Sequence, residues 1–486
     1  MTGLAAVLVA VATLATASAS GPAGQGSTGP GQAATPGAST RGGQQEPAAA
    51  GTAGADGAGD GYYPTDGNGG YDVASYQVSI SYDPADGHLD GDTTVTARAT
   101  EALSRFNLDL SGLTVRSVEV DGRPAAFDRT GRHELMITPA GPIGRDTTFS
   151  VRVRYDGKPT LFGESGLGSG GWFANSGAAI AAGEPHSATA WYPANDTPAD
   201  KATFALTARV PDGWSVVSNG IDEAPTSSGG WTTFRWRLRD PVATYLTTVA
   251  VGRWRLVRSR LADGTPVVNA YAPSADRSQE HGERLPEILQ FLSGKFGPYP
   301  FEAAGGIFLG TGLGFALELQ TRPVYPPVGG PEIIVHELAH QWFGNSVTVR
   351  RWADICLNEC LASYAQWLWR EAKDGADLDQ HYREQVGRVD FGSRLYDMGA
   401  GNEFRGVYTK GPVAIHALRR QIGDAAFDTV LTGWPRRHAN GNASWPDFES
   451  FVEEQAGQQL DGFFDAWFRG TQRPADEYLW PGGLRP

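Results

Sequence analysis

The segment VHELAHQW occupies residues 335–342 and contains the pattern HExxH. Positions four apart lie on one face of an α-helix, so His336 and His340 can direct both imidazoles at one metal ion, with Glu337 beside it. A helix is predicted here because Pro331 precedes a run with helical spacing. The alternative is a surface helix that carries two histidines and a glutamate without binding a metal.

A carboxylate in the next apolar stretch supports the prediction of a metal site. Glu359 follows His340 by nineteen positions, and residues 353–369 around it are otherwise rich in apolar side chains. A buried carboxylate is costly unless it is paired or ligated, and a zinc ion on His336 and His340 would supply that partner. Two histidines and one glutamate leave the fourth tetrahedral position for water, as in catalytic zinc sites. The sequence therefore predicts one Zn2+ per chain.

Composition limits the classes of function. The chain has 486 residues, of which 40% are hydrophobic and 19% charged, so wholesale disorder is excluded. Its formal net charge of −14 opposes attraction to phosphate backbones, so no nucleic acid partner is expected. The other histidines, His133 and His186 among them, show no ligand spacing, and we expect surface or satisfied roles for them.

The N-terminus predicts export. Residues 4–19 form an apolar run that ends in small residues, which is typical of a signal peptide, here 1–19, cleaved before Ser20. An uncleaved N-terminal anchor is the alternative. Residues 20–61 are rich in Gly, Ala, Pro and Ser and predict a disordered spacer. No other stretch approaches a transmembrane length, so a secreted protein without a stable membrane span is predicted.

Periodicity divides the rest of the chain into two domains. Residues 62–257 alternate apolar and polar side chains in short runs separated by Asp and Gly, which predicts an antiparallel β domain. Residues 258–486 contain longer runs with helical spacing, which predicts a mainly helical second domain. The predicted strands include 76–82, 94–98, 114–120, 149–155, 203–210 and 231–238, and the predicted helices include 284–296, 331–343, 354–372 and 410–422.

The longer motif resembles that of a known family. HExxHxWFGN, then a spacer and a Glu, occurs as residues 336–345 followed by Glu359, and is similar to the gluzincin aminopeptidases of the aminopeptidase N and leukotriene hydrolase type. The resemblance extends from residue 62 to about 480. It implies an α+β multidomain fold, in which a saddle-shaped antiparallel β domain precedes a thermolysin-like, mainly helical zinc catalytic domain. The C-terminal helical domain of larger members is expected to be missing.

The resemblance also implies an anchor for a substrate's free amino group. Residues 315–319 are similar to the family's Gly-x-Met-Glu-Asn motif, in which Glu318 would bind the α-ammonium. Phe315 and Leu319 replace the usual Gly and Asn. Glu184 would be the second carboxylate around the ammonium, and a pair of this kind selects peptides by their N-terminus.

Tyr408 matches the family's tyrosine that stabilises the oxyanion, a role for which a phenol donates one directed hydrogen bond without charge. With Glu337 as general base, the expected reaction is hydrolysis of the N-terminal peptide bond by a zinc-activated water. Two alternatives stay open. One is a zinc endopeptidase with the same metal site, and the other is a non-enzymatic binding protein with a structural metal.

Two further features flank Glu359. Asp354 could accept the free N–H of a ligating histidine or cap the following helix. Cys356 and Cys360 lie one helical turn apart, where disulfide geometry is poor, so we expect buried free thiols.

Overall fold

The computed structural model describes residues 51–165, 168–175, 177–310 and 313–485, with side chains omitted for 163–168. The predicted signal peptide, 1–19, and most of the predicted spacer lie outside these residues. Among the helices described, none is long and apolar enough to cross a membrane.

The first half of the chain is built from β-strands, as predicted. These are β1 (Thr52–Ala53), β2 (Tyr71–Asp83), β3 (His88–Ala99), β4 (Leu103–Asp109), β5 (Thr114–Val120), β6 (Arg123–Pro124), β7 (Ala126–Thr130), β8 (Glu134–Thr138), β9 (Thr148–Gly157), β10 (Leu161–Ser165), β11 (Gly168–Ala174), β12 (Ala178–Ala182), β13 (Lys201–Pro211), β14 (Ser215–Ser218), β15 (Ile221–Asp222), β16 (Thr226–Ser228), β17 (Trp231–Ala243) and β18 (Val249–Gly252).

The largest sheet has the order β15-β17-β13-β2-β3-β9-β5-β6, with β16 paired to β17. The strands of this sheet alternate between buried and outward-facing side chains. In β2, for example, Tyr76, Val78 and Ile80 are buried, whereas the side chains between them face outward. The sheet is not purely antiparallel, because β2 and β13 run parallel. Many residues and several strands separate these two, which gives the chain room to return in the same direction.

Two smaller sheets complete this half, with the orders β1-β4-β8-β7 and β10-β11-β12-β18-β14. The second of them matters for the site, since Glu184 follows the last residue of β12 by two positions. Its inner strands β12 and β18 are almost completely buried, which predicts a rigid support for the residues that follow.

The predicted spacer does not extend to residue 61. Strand β1 (Thr52–Ala53) pairs in parallel with β4, and Asp60 Oδ2 accepts the backbone N–H of Trp352 in the second half of the chain. Small Gly and Ala residues have little side chain to bury, but their backbone groups still form hydrogen bonds in a sheet, so composition alone mispredicted this stretch.

The second half is mainly helical, as predicted. Its helices are α1 (Asp276–Gly282), α2 (Leu285–Phe296), α3 (Glu332–Ala339), α4 (Cys356–Asp374), α5 (Leu378–Val386), α6 (Lys410–Ile422), α7 (Asp424–Arg437), α8 (Trp445–Ala456), α9 (Asp461–Phe464) and α10 (Asp476–Leu479). Its strands are β19 (Arg255–Arg260), β20 (Pro266–Tyr271), β21 (Ala304–Phe308), β22 (Val324–Tyr325), β23 (Val347–Val349) and β24 (Gly441–Ala443).

Strands β19 to β22 form one sheet in that order, and α4 packs between α3 and α6. Strand β19 begins before residue 258, and the domain boundary between 257 and 258 stays a prediction. The helices that carry the candidate metal ligands are thus neighbours in a buried core.

The prediction of free thiols is wrong. Cys356 and Cys360 form a disulfide, with their Cα atoms 4.8 Å apart, inside the range that disulfides accept. Cys356 is the first residue of α4, where the backbone is less constrained than in the middle of a helix. The bridge packs against α6, because a Cβ atom on Gly411 would lie 2.7 Å from Cys360 Sγ.

Candidate active site

Two adjacent helices bring the predicted metal ligands together. His336 lies in the last turn of α3, and His340 directly follows that helix with its backbone still in the α region. Glu359 lies in the first turn of α4, and all three side chains are at least 91% buried. Their Nε2 and carboxylate oxygen atoms lie within 4.8 Å of one another.

The spacing of these atoms fits a tetrahedral zinc site. His336 Nε2 lies 3.1 Å from Glu359 Oε2 and 3.2 Å from His340 Nε2, and the remaining pair is separated by 3.5 Å. Ligands at about 2.0 Å from zinc, at tetrahedral angles, lie about 3.3 Å apart. The three residues therefore fit this metal, and Glu359 gains the cationic partner that its burial requires.

The loop after α3 fixes the orientation of the second imidazole. His340 Nδ1 lies 3.0 Å from the carbonyl oxygen of Phe343, which accepts the Nδ1–H and leaves Nε2 free for a metal. Gly344 makes the turn possible, since its φ of +128° strains other residues and a Cβ there would lie 3.3 Å from His340 Nδ1.

The buried charges of the site perturb one another. Burial alone would raise the pKa of Glu359, but the two histidines lower it to about 2, so this carboxylate is ionised. Burial raises the pKa of Glu337 well above its ordinary value. A carboxylate oxygen of Glu337 lies within 4.8 Å of a ring nitrogen of His340, a position from which it can take a proton from water at the metal site.

Two more carboxylates converge on the same place from different parts of the chain. Glu184 follows β12, and Glu318 lies next to Leu317, which bridges to Val324 of β22. Oxygens of Glu184, Glu318 and Glu359 lie within 4.8 Å of one another, and the first two residues are 1% and 2% exposed. Among the described residues, neither Glu184 oxygen nor Glu318 Oε1 has a hydrogen-bond partner.

These unpartnered oxygens can accept a cationic group. Burial, followed by repulsion from Glu318, raises the pKa of Glu184 well above its ordinary value, and burial raises that of Glu318 to about 7. A buried carboxylate without a partner is costly, so an ammonium group placed between the two would remove the penalty.

Tyr408 lies at the edge of this cluster, immediately before α6. Its ring centre is 5.9 Å from that of His336, and the residue is 42% exposed. Desolvation and then Glu359 raise the pKa of its phenol well above the ordinary value, so the hydroxyl keeps its proton. A protonated phenol that faces the metal ligands from an open side can donate a hydrogen bond to a bound substrate.

Sequence reasoning missed two residues that hold the Glu318 backbone. Asn345 Nδ2 donates to the Glu318 carbonyl oxygen at 2.6 Å, and Gln341 Nε2 donates to the same oxygen at 3.2 Å. Lys201 Nζ in turn donates to the carbonyl oxygens of Asn345 and Ser346. The sequence feature that could have indicated these roles is that Gln341 and Asn345 are polar, whereas residues 342–344 between them are not.

Neither role predicted for Asp354 is found. Its Oδ1 accepts the backbone N–H of Trp445 at the start of α8, and α4 has no side-chain cap. Asp354 precedes α4, but its carboxylate binds the backbone at the start of α8 rather than a histidine.

A β-sheet half followed by a helical half with a buried His-His-Glu set and a neighbouring glutamate defines the class of HExxH zinc peptidases. The comparisons with known proteins give the family. Residues 330–467 match the peptidase family M1 domain, and residues 73–246 match the peptidase M1 N-terminal domain. The chain belongs to peptidase family M1, as the resemblance predicted.

Solved structures are similar over most of the chain. An M1 zinc metallopeptidase from Deinococcus radiodurans is 31% identical, with a TM-score of 0.81, and the match covers 88% of this chain and 100% of that one. A mutant of the same protein, solved with a Tyr-Ser-Ala substrate, matches with 31% identity and a TM-score of 0.80, over 86% and 99% of the two chains. The predicted fold and the zinc cofactor are confirmed.

Curated relatives are longer. Aminopeptidase N from Lactococcus lactis is 24% identical over 82% of this chain and 51% of its own length. A probable aminopeptidase 1 from Saccharolobus solfataricus is 24% identical over 75% of this chain and 49% of its own. The chain thus spans about half the length of these two proteins.

Proposed function

We propose that this chain is a zinc aminopeptidase that releases one residue at a time from the free N-terminus of peptides. The observation that carries the proposal is the pair Glu184 and Glu318, two buried carboxylates with unpartnered oxygens directly beside Glu359. A metal ion accounts for Glu359 and the histidines, but it leaves this pair unneutralised. The α-ammonium of a peptide is a cation of the right size and hydrogen-bonding capacity.

The roles follow from where the side chains lie. His336, His340 and Glu359 would hold the zinc ion, which when bound supplies a Lewis acid that acidifies water and polarises a carbonyl group. Glu337 accepts the proton of the attacking water and passes it to the leaving amine. Tyr408 donates its phenolic hydrogen to the oxygen on which negative charge develops.

Glu318 and Glu184 set the register of the substrate. With the ammonium held between them, the first peptide bond is the one that lies at Glu337 and the metal ligands. A longer N-terminal extension would have to place an uncharged amide among these carboxylates, leaving their charge unpaired. This selection by N-terminus separates an aminopeptidase from an endopeptidase with the same metal site.

The departures from the family motif leave the anchor in place. Leu319 is fully buried, so it replaces the usual Asn without opening the cluster, and Phe315 packs edge to face on Phe173. Neither change removes a carboxylate. These observations favour exopeptidase over endopeptidase activity.

The test uses one peptide in two forms, with a free and with an acetylated N-terminus, each incubated with and without a chelator. Mass spectrometry of the products should show stepwise loss of N-terminal residues from the free form, abolished by chelation. Internal cleavage of both forms would support the endopeptidase. Absence of any metal-dependent cleavage would support a binding protein.

We further infer that the protein acts outside the cytoplasm. The apolar run at residues 4–19 supports export, and the Cys356–Cys360 disulfide favours an oxidising compartment. N-terminal sequencing of the protein recovered from culture medium should begin at Ser20, and a chain retained in the cytoplasm with Met1 would exclude export.

A further inference from the structure

A second set of metal-type side chains lies outside the active-site residues, in the sheet β1-β4-β8-β7. It borders a cavity of about 210 Å³ lined in part by Asp66, Asp109, His133 and His186. None of these residues has a role in the proposed peptide hydrolysis. From the sequence, the histidines at this cavity were expected to be surface residues or to be hydrogen-bonded within the protein, without a ligand.

Strand pairing places the donors on one face. Asp109 ends β4 and lies directly opposite Glu134, the first residue of β8, while His133 precedes Glu134 in the turn. Directly opposed residues point to the same side of a sheet. Donor atoms of Asp109, His133 and Glu134 lie within 4.8 Å of one another, and Asp66 Oδ1 lies 3.7 Å from His133 Nε2.

This cluster has an excess of negative charge. Within the part of the chain that the structure describes, histidines are the only basic side chains within 4.0 Å of the carboxylates of Asp66, Asp109 and Glu134. Asp109 is fully buried, and two acidic residues directly opposed across a strand pair repel each other.

One oxygen in the cluster points to a missing ligand. Glu134 is 8% exposed, and its Oε1 has no hydrogen-bond partner among the residues described, although its Oε2 accepts from Asn107. Oε1 faces His133 Nε2 at 3.8 Å, too far for a hydrogen bond. Burial raises the pKa of Glu134 to about 7, although His133 and the hydrogen bond from Asn107 both lower it.

We propose that Asp109, His133 and Glu134 bind a second divalent cation, with Asp66 beside it. One imidazole nitrogen with carboxylate oxygens is a donor set suited to Zn2+ or Mn2+ rather than to Mg2+. His133 Nε2 lies 3.8 Å and 4.0 Å from the two carboxylate oxygens. At tetrahedral angles these separations correspond to about 2.3 to 2.5 Å from a common centre, so His133 Nε2 and the two oxygens must approach one another by about 0.5 to 0.7 Å to reach the spacing of about 3.3 Å in a zinc site.

Binding requires a change at His133, whereas Asp109 Oδ1, which accepts from Asn68 Nδ2 at 3.0 Å, keeps a second lone pair for the ion. In the structure His133 Nε2 lies 2.8 Å from the carbonyl oxygen of Thr65 and donates its proton to it. Coordination through Nε2 moves the ring proton to Nδ1 or releases it to solvent, and the Thr65 carbonyl is freed as a further oxygen ligand. The ion would then tie the segment around Asp66 to β4 and β8.

The test counts zinc ions in the full-length chain. Each variant is equilibrated with excess Zn2+, freed of unbound metal by gel filtration, and assayed by elemental analysis. Wild type should hold two zinc ions per chain. The His133→Ala/Glu134→Gln variant should hold one and keep peptidase activity, while His336→Ala/His340→Ala should hold one and lose activity.

Glu134→Gln alone covers the case in which the double variant fails to fold, because glutamine keeps an acceptor for Asn107. Calorimetric titration should show the non-catalytic Zn2+ site weakened at least about 10-fold. Asp128→Asn, an exposed carboxylate on the neighbouring strand β7, is the matched control and should change nothing.

A single zinc ion in the saturated wild type, or two in the His133→Ala/Glu134→Gln variant, would overturn the proposal. Binding of Ca2+ but not of Zn2+ or Mn2+ would overturn ligation by His133. The zinc count and the titration do not depend on catalysis. A failure of the proposed aminopeptidase activity would be seen in the peptide assay and would leave these two measurements unchanged.

Discussion

Replacing Glu318 by glutamine separates substrate anchoring from metal binding. Glutamine has nearly the same shape, so the Glu318→Gln variant keeps the packing of a residue that is 2% exposed. It removes one of the two charges around the ammonium. A hydrogen bond to a charged group contributes about 1.5 to 3 kcal/mol, so kcat/KM for a peptide with a free N-terminus should fall about 10- to 150-fold.

The assay measures kcat/KM for an alanyl anilide and bound zinc in parallel. Zinc content should not change, because Glu318 is outside the set of His336, His340 and Glu359. Glu332→Gln is the matched control, since Glu332 lies on α3 but outside the acidic cluster. An unchanged kcat/KM, or a loss of activity accompanied by a loss of zinc, would refute the anchoring role.

Four further predictions follow. Glu337→Gln should keep its zinc and lose about 100- to 10,000-fold in kcat, measured on the alanyl anilide; full activity would reject the general base. Asn345→Ala removes a donor to the Glu318 carbonyl and should raise KM for free-amino substrates about 2- to 10-fold; a loss of zinc instead would show that Asn345 supports the metal. Burial lowers the pKa of Lys201 to about 7, so above pH 7 the unfolded chain binds more protons than the folded one, and the free energy of unfolding rises with pH. Between pH 7 and 9 the wild type should therefore gain about 2 kcal/mol relative to the Lys201→Met variant, measured by urea unfolding. A difference between the two proteins that does not change with pH would contradict this prediction. Replacing Cys356 and Cys360 by serine opens a five-residue loop and should lower the free energy of unfolding by about 2 kcal/mol, whereas a variant equally stable under oxidising conditions would argue against the bridge.

The metal ligands could be predicted because their geometry is local. The spacing of His336 and His340 is read directly from one helical segment, and Glu359 lies in the first turn of the next α-helix along the chain. A helix of known period fixes which side chains share a face, so the only non-local step was the packing of α4 on α3. The single carboxylate of the apolar stretch 355–369 was enough to indicate that step.

The amine anchor could not be predicted from spacing. Glu184 follows β12 in the first half of the chain and Glu318 precedes β22 in the second half, so their meeting depends on how these two parts pack. They entered the prediction through the family resemblance alone. The hydrogen bonds that Gln341 and Asn345 make to the backbone of Glu318 also depend on tertiary packing, so the sequence spacing did not predict them.

The wrong predictions have physical causes of the same kind. Cys356 was treated as part of a regular helix, whereas it is the first residue of one. The proposed second cation site is a separate case: His133 and Glu134 show no ligand pattern in the sequence, because Asp109 approaches them across a strand pair. Pairing of strands brings together residues that a linear motif cannot connect.

The central claim is that His336, His340 and Glu359 hold the zinc ion on which cleavage depends. Anomalous diffraction at the zinc absorption edge, from crystals of the zinc-loaded chain, tests it most directly. We expect a peak about 2.0 to 2.2 Å from both Nε2 atoms and from a carboxylate oxygen of Glu359. A fully loaded crystal with no peak among these three side chains would contradict the account.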